Sequence, residues 1–342
     1  MSKSNAVLLA VALVAIAAAA WYRQQVFQQE APPTPPENLH VAFITGGSGP
    51  YWQSTANGAR EAGEDHGVTV DVEMPADAES LEEQMALLTK LKPADFDGVA
   101  VSPLSAEDQT PLINRIQSET NLITFDSDAP YSQRRGHIGT SNYGAGAKCL
   151  ELVNEALPEG GKVLVLLANL TKANMIDRQL GFEEKLKIRN AAVNDGDEPP
   201  PAIEVIEYLT DEGDSAAAAE GIRRTLAEHS DLACIVGMNS RHGAVILDTL
   251  KELDQLDKVK VIAFDATDPT LDGVKDGHIY ATIAQDPYKY GYEAVRLLQS
   301  LAASASDELP ITGGGTIYID TEVVRQDNVD RFRRRIASRS AE

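Results

Sequence analysis

The sequence predicts an α/β protein with two doubly wound lobes, each built on a mostly parallel sheet. The first observation is length, since 342 residues exceed the roughly 250–300 residues at which a single hydrophobic core stops growing. The second is that short β-branched and aromatic runs alternate with amphipathic helical patterns from residue 40 onward. The third is that this alternation restarts after residue 142. A second unit of the same kind therefore follows the first.

The first lobe is predicted from four strand-like runs with helices between them, such as the amphipathic SLEEQMALLTKL at 80–91. Each run is short, rich in Val, Ile, Thr or Phe, and bounded by polar residues, as expected for buried parallel strands. The four predicted strands are HVAFIT (40–45), VTVDVEM (68–74), DGVAVS (97–102) and NLITFD (121–126).

The second lobe is predicted from the same rhythm after HIGTSN (137–142). Its predicted strands are KVLVLLA (162–168), IEVIEYL (203–209), LACIVG (232–237), VKVIAFD (259–265) and YATIAQ (280–285). The polar, proline-broken NDGDEPPP (194–201) is predicted to be a surface loop. The basic RFRRRIASRSAE at 331–342 is predicted to be a solvated, frayed end.

The amino terminus has the pattern of an export signal. Residues 6–20 form an apolar run, with Ala18 and Ala20 at an A-x-A-like cleavage site. With the next two aromatics, residues 6–22 reach the lower limit of about 17 residues for a spanning helix, so a retained membrane tether stays open. No cysteine follows the run, which excludes a bacterial lipoprotein. With the proline-rich APPTPPE, residues 1–38 are predicted to be a signal peptide or anchor plus a semi-rigid linker.

Composition excludes several classes of function. The net charge of −22, from 52 acidic and 30 basic residues, argues against nucleic acid and anionic lipid as partners, because phosphate groups are repelled. Cys149 and Cys234 lie in apolar patterns and are expected to be buried thiols. The six histidines are scattered singly, mostly at predicted surface or loop positions. No metal site and no cofactor are therefore expected.

The loop after the first predicted strand, GGSGPYWQS, does not match a phosphate-binding motif. It lacks the lysine of a P-loop and the spacing of a dinucleotide loop. Tyr51 and Trp52 instead begin a helix just past a strand end, where open α/β sheets place ligands. An aromatic face suits the C–H face of a neutral pyranose. The alternative is that both rings pack into the core, and this stretch alone supports the two interpretations equally.

Polar residues follow several of the predicted strands. Asp126 closes LITFD and Asp265 closes VIAFD, one in each lobe, and a carboxylate can accept two hydroxyls at about 1.5–3 kcal/mol each. Asn239 and Gln285 stand at equivalent strand ends. Any one of them alone is more commonly a helix cap or turn residue. The four together favour a polar ligand site at the carboxyl edges of the two sheets.

Arg178 lies in the predicted helix ANMIDRQLGF and presents a fixed fork of donors. Asn174, four residues earlier, shares its helix face. A surface salt bridge from Arg178 to Asp177 or Glu184 is the alternative, and without other observations it is the preferred one.

Five motifs together resemble a known family. GPYWQS, TFDSDAPYSQRRGHIGTSNYGAG, ANMIDRQLGF, VIAFDATD and ATIAQDPYKYGY occur in the order and at the separations of type-1 periplasmic sugar-binding proteins, the ribose/galactose-binding and LacI-like family. The pattern is nearest to the subgroup typified by thermophilic glucose-binding proteins. The resemblance covers roughly residues 39–325, nearly the whole body.

The resemblance implies a non-enzymatic, exported solute receptor that holds a monosaccharide in a cleft and serves an ABC importer in the membrane. It implies two Rossmann-like lobes joined by three crossovers, in a protein expected to be a monomer. The implied boundaries are residues 39–140 and 286–313 for the first lobe, 141–285 and 314–330 for the second, and 331–342 for the tail.

The resemblance also implies a set of ligand-binding residues: Tyr51, Trp52, Asp126, Asn142, Arg178, Asp265 and Gln285. Two departures matter. Ser127 stands where ribose-type members have arginine, which argues against a ribose-like site. Ser240 and Arg241 stand where ribose-type relatives have acids, which weakens the match around Asn239 and brings Arg241 within reach of the cleft.

Three other functions compete with transport. A tethered sensor would present its sugar-closed form to a histidine kinase or chemoreceptor, and a retained amino-terminal helix would favour it. A glycosidase would use Asp126 and Asp265 as its acid/base pair, but that chemistry needs a carboxyl separation and a raised pKa that the sequence does not show. A DNA-binding regulator would need a helix-turn-helix where the apolar amino-terminal segment stands.

Overall fold

The computed structural model describes residues 17, 18, 21, 38–76, 79–191, 201–303 and 315–339. The predicted export or anchor segment and nearly all of the predicted loop at 194–201 lie outside these residues. None of the described helices is both long enough and apolar enough to cross a membrane.

The described residues form twelve strands and ten α-helices. The strands are β1 His40–Ile44, β2 Thr69–Glu73, β3 Gly98–Val101, β4 Asn121–Phe125, β5 Gly136–Gly139, β6 Gly161–Leu167, β7 Ile203–Thr210, β8 Leu232–Gly237, β9 Lys260–Phe264, β10 Ala281–Ala284, β11 Thr316–Tyr318 and β12 Glu322–Val324. The helices are α1 Pro50–His66, α2 Leu81–Lys90, α3 Ala106–Gln117, α4 Asn142–Ala156, α5 Ala173–Ala191, α6 Ser215–Glu228, α7 His242–Glu252, α8 Asp268–Asp276, α9 Pro287–Ala303 and α10 Val329–Arg339.

These strands make two six-stranded sheets, each at the centre of one lobe. The first lobe has the order β11-β5-β4-β3-β1-β2 and the second has β12-β10-β9-β8-β6-β7. All pairings are parallel except that of β10 with β12. The predicted fold class of two doubly wound α/β lobes is confirmed, and the predicted strands appear within a few residues of their expected bounds.

Local sequence explains why the elements form where they do. The central strand β1 is buried on both faces and reads as a continuous apolar run, whereas the edge strand β2 alternates exposed and half-buried residues. The helices α2 and α3 are capped by the residues just before them, Ser80 and Ser105, whose side chains accept hydrogen bonds from the backbone N–H three residues on.

Glycines allow the helices of each lobe to approach closely. In the first lobe a Cβ on Gly58 of α1 would lie 1.9 Å from the Tyr288 carbonyl oxygen at the start of α9. In the second lobe a Cβ on Gly181 of α5 would lie 2.0 Å from the carbonyl oxygen of Tyr143 in α4. Both distances are far inside van der Waals contact, so only glycine fits without a shift. The two helix pairs cover equivalent faces of the two sheets.

Within the described residues the chain passes between the two sheets three times. Residues 314–330 were all expected in the second lobe, whereas β11 lies in the first sheet and β12 in the second. The third passage therefore falls at Ile319–Thr321. Two three-residue strands separated by three residues carry too little pattern to be told apart in sequence.

The basic carboxyl-terminal segment is also different from the expectation. Residues 331–342 were predicted to be a frayed end, but α10 runs to Arg339 and buries Val329 and Phe332 in the core of the second lobe. Arg333 pairs with Asp272 of α8, and Arg335 pairs with Glu322 of β12. The prediction was wrong because the apolar residues at helical spacing outweigh the basic charges, which acidic neighbours offset.

The two cysteines are buried as expected, and two of the six histidines are exceptions to the mostly exposed positions expected for them. Cys149 and Cys234 are both free and buried, as predicted. His137 and His242 are buried rather than at the surface; His137 bonds the Thr124 hydroxyl, and His242 bonds Asp211 at 2.8 Å. Burial lowers the pKa of His137 to about 4. The other four histidines are at least partly exposed.

Candidate functional site

A cleft lies between the lobes at the carboxyl ends of both sheets. It consists of a broad outer cavity of about 1310 Å³ and a small inner pocket of about 40 Å³. The inner pocket is lined by both lobes: Tyr51, Trp52, Glu79, Asp126, Lys172, Asn174, Met175, Arg178, Asn239, Ser240, Asp265 and Gln285. Of the sequence-based candidates only Asn142 does not line it, and Asn142 contacts Arg178 from behind.

The aromatic loop after β1 places one ring flat against glycines. Cβ atoms on Gly46 and Gly47 would lie 2.7 Å from the Trp52 indole, so these glycines let the ring lie over the backbone. Trp52 is only 6% exposed, and its ring stands at 81° to that of Tyr51 with centroids 5.2 Å apart. Two perpendicular rings cannot both stack on one flat ligand. One offers a face and the other an edge.

Asp126 follows β4 in a left-handed backbone conformation, with φ of 58°. Its Oδ1 accepts a hydrogen bond of 2.5 Å from the Tyr51 hydroxyl, and its Oδ2 accepts one of 3.3 Å from Ser102. Burial raises the pKa of Asp126, while the Tyr51 hydrogen bond and the nearby Lys172 ammonium favour the ionised form. Both carboxylate oxygens are therefore already engaged by neighbours from the first lobe.

Asp265 occupies the corresponding position after β9 in the second lobe, with φ of 65°. Its Oδ1 is buried and has no hydrogen-bond partner within the described residues. Burial raises the pKa of Asp265 to about 7, with Asp126 adding to the rise and Arg178 and the Gln285 backbone N–H opposing it. Non-glycine residues held in this backbone region cluster at functional sites. Asp265 thus presents an unpaired acceptor to the pocket.

Arg178 projects from α5 and is 2% exposed, so the interpretation of a surface salt bridge is wrong. Its Nε donates to Asn142 Oδ1 at 2.9 Å, one terminal nitrogen to the Met238 carbonyl at 2.8 Å, and the other to Gln285 Oε1 at 3.0 Å. The guanidinium also lies 3.8 Å from the centroid of the Phe264 ring. A planar fork with this many partners is held rigidly.

A chain of hydrogen bonds continues from Gln285 to the first lobe. Gln285 Nε2 donates to the Tyr290 hydroxyl at 2.9 Å, and that hydroxyl bonds Thr140 Oγ1 at 2.6 Å. Thr140 lies at the first passage between the lobes and Gln285 at the second. The site is thereby linked to the segments about which the lobes would rotate.

Sequence reasoning missed two charged residues that join the lobes across the pocket. Glu79, after β2 in the first lobe, pairs with Lys172, after β6 in the second, at 2.9 Å. Arg241 of the second lobe lies 3.9 Å from the other Glu79 oxygen. Glu79 and Lys172 lie six and five residues past the ends of β2 and β6, whereas Asp126 and Asp265 follow their strands directly, so the strand-end rule does not single them out. Nothing in the local sequence singles them out.

The inner pocket contains two unpaired buried acceptors. Asp265 Oδ1 and Asn174 Oδ1 both lack a hydrogen-bond partner within the described residues, and both residues line the pocket. A buried acceptor without a partner costs roughly 1–3 kcal/mol. The pocket therefore suits a ligand with at least two hydroxyl or amine donors. Among the residues the structure describes, no cluster of His, Cys, Asp or Glu is arranged to hold a metal ion.

Comparison with known proteins also indicates a binding protein. A family described as the periplasmic binding protein domain matches residues 41–306. The D-allose-binding periplasmic protein of Escherichia coli K12 is 21% identical over 73% of this chain and 80% of its own. The ribose import binding protein of Salmonella typhimurium is 24% identical over 53% of this chain and 57% of its own.

A solved structure of an ABC transporter solute-binding protein from Burkholderia graminis C4D1M, in complex with D-arabinose, has a TM-score of 0.76 and 27% identity. The match covers 85% of this chain and 96% of that one. These relatives are binding proteins of transport systems rather than enzymes. Since the family match spans well over half of the sequence, the chain belongs to the periplasmic binding protein family.

Proposed function

We propose that the protein is an exported solute receptor that captures one uncharged monosaccharide between its lobes and delivers it to an ABC-type importer. The observation that carries the proposal is a pair of buried acceptors beside the Trp52 ring, Asp265 Oδ1 and Asn174 Oδ1, which find no hydrogen-bond partner in the part of the chain that the structure describes. A sugar supplies hydroxyl donors at its edges and a C–H face for an aromatic ring. The names of two relatives contain allose and ribose, and the solved structure of a third is a complex with D-arabinose. All three sugars are uncharged monosaccharides.

The ligand enters an open form and is enclosed by closure. The inner pocket of about 40 Å³ has room for only about three water molecules at roughly 10–15 Å³ each, which is less than a sugar ring requires. The lobes therefore rotate at the three passages to admit the ligand, and they close around it with a wider pocket than the present one. Contacts made only in that closed, liganded form supply the free energy of closure. Micromolar binding corresponds to a net of about 8 kcal/mol.

A thermal-shift panel of pentoses, hexoses, inositol and nucleosides tests the proposal. At 100 times its dissociation constant a bound sugar should stabilise the protein by about 2.7 kcal/mol. Trp52→Ala should abolish the shift, whereas Trp21→Ala, which changes an exposed tryptophan outside both lobes, should keep it. A panel in which no monosaccharide shifts the melting temperature would reject the proposal, and an unchanged shift in Trp52→Ala would reject the role of the ring.

Delivery and location are tested separately. Membrane vesicles that contain the partner permease should import the sugar only when the receptor is added, whereas a sensor would instead change the phosphorylation of a kinase. Fractionation should find the protein outside the cytoplasm. Sequencing of its amino terminus would show whether the predicted cleavage after Ala20 occurs or whether residues 6–22 remain as a tether.

A further inference from the structure

The Glu79–Lys172 pair places a full positive and a full negative charge inside a pocket proposed for an uncharged ligand. Lys172 is 5% exposed, and its ammonium lies 2.9 Å from Glu79 Oε1. Lys172 is also close enough to Asp126 to favour the ionised form of that carboxylate. A buried ammonium is tolerated only with a counter-charge nearby, and Glu79 supplies it at hydrogen-bonding distance.

Arg178, the other cationic residue that lines the inner pocket, is not free to turn toward a ligand. Arg178 donates to Asn142, Met238 and Gln285 and stacks on Phe264, so its orientation is fixed by the second lobe. The Lys172 ammonium has three donors on a flexible stem. It is therefore the positive group to which a ligand carboxylate would bind, provided that its internal partner is absent.

Glu79 reaches Lys172 from the opposite lobe. It belongs to the loop between β2 and α2, while Lys172 precedes α5, so the ion pair joins the two lobes in this arrangement. Arg241, also from the second lobe, lies 3.9 Å from the remaining Glu79 oxygen. A ligand carboxylate would have to displace Glu79 from these cations or share them with it. Sharing would bring two negative charges close together, which disfavours binding.

We propose that Glu79 is the specificity-determining residue that makes the pocket reject acidic sugars: it occupies Lys172 in the closed form as a built-in carboxylate, so that only uncharged sugars are accepted. This inference rests on the proposed function. It follows that removing the charge of Glu79, while keeping its shape, exposes a buried cation to the ligand and converts the pocket into one that also binds uronates.

Calorimetric titration of the full chain with paired ligands tests this inference. The pairs are galactose with galacturonate, glucose with glucuronate, and allose with alluronate, each of which keeps the pyranose ring and differs only at C6. The readout is the ratio of the two dissociation constants, acid over neutral. For Glu79→Gln we expect this ratio to fall by about tenfold or more. Asp268→Asn, which removes one charge from an exposed residue of the outer cavity, is the matched control and should leave the ratio within about twofold.

Two further variants separate specificity from folding. Glu79→Ser also removes the charge, and its ratio of dissociation constants replaces that of Glu79→Gln if the glutamine variant does not unfold cooperatively. The double variant Glu79→Gln with Lys172→Met should lose the gain in acid binding, because the cation is gone. A ratio that stays at the wild-type value in Glu79 variants that still bind the neutral sugar would overturn the inference alone. A wild-type protein that binds none of the neutral sugars would overturn the proposed function and this inference with it.

Discussion

Asp265→Asn should weaken sugar binding and at the same time stabilise the sugar-free protein. The carboxylate presents a buried acceptor, Oδ1, that has no partner within the described residues. A hydroxyl bonded to a carboxylate contributes about 1.5–3 kcal/mol, against about 0.5–1.5 kcal/mol for a neutral pair. Replacing the carboxylate by an amide should therefore raise the dissociation constant by roughly tenfold, since 1.4 kcal/mol corresponds to a factor of ten.

The effect on stability has the opposite sign. Burial raises the pKa of Asp265 from 3.8 to about 7, so the folded state holds a proton that the unfolded state has lost between about pH 4 and 7. Stability then falls as the pH rises through this window. A rise of about three pKa units is an upper bound of about 4 kcal/mol. We expect Asp265→Asn to be more stable than wild type by about 2–4 kcal/mol at pH 8 and nearly equal at pH 4.

Urea denaturation at several pH values measures this difference directly. The quantity to compare is the free energy of unfolding of the variant minus that of wild type, because other titrating groups cancel in it. Sugar binding should also release protons near pH 7, visible in calorimetry as a dependence of the heat on the buffer. A stability difference that does not change with pH, together with unaltered sugar affinity, would refute the assignment of Asp265 as a destabilised, ligand-facing carboxylate.

Three other predictions concern the scaffold. Gly181→Ala should destabilise the second lobe by about 1–3 kcal/mol, because its Cβ would meet the Tyr143 carbonyl oxygen at 2.0 Å; in urea denaturation Gly49→Ala, which has open space around it, should be neutral. Arg178→Lys should lower stability by about 2 kcal/mol or more, because acceptors that bonded the fork are left unpaired, and equal urea midpoints would contradict this. As the pH falls from 6.5 to 4, wild type should lose up to about 3 kcal/mol of stability at His137, because burial lowers the pKa of His137 to about 4 and only the unfolded chain binds a proton there. His137→Gln should remove this loss. Parallel pH profiles of stability for the variant and wild type would contradict this.

The fold was predictable because buried parallel strands leave a strong sequence pattern. Runs such as VIAF in β9 are apolar on both faces, and the carboxylate that follows marks the edge where ligands bind. The same rule predicted that Asp126 and Asp265 lie at the ligand-binding edges of their sheets, and both line the inner pocket. The third passage between the lobes was misplaced because β11 and β12 have only three residues each.

Features that depend on the meeting of the lobes could not be predicted. Glu79 and Lys172 are 93 positions apart in the sequence, and no local pattern marks either of them. Likewise, the perpendicular arrangement of Tyr51 and Trp52 and the bond from Tyr51 to Asp126 depend on side-chain packing. The tail was misjudged because its charge was weighed without the acids of α8 and β12, which lie beside it only after folding.

The most direct test of the central claim is a crystal structure of the protein with a neutral monosaccharide that stabilises it. We expect the sugar between the two lobes, with its hydroxyls donating to Asp265 Oδ1 and Asn174 Oδ1 and its C–H face against an aromatic ring of the β1 loop. A sugar bound on the outer surface or to one lobe alone, with both of these oxygens still unpaired, would contradict the account.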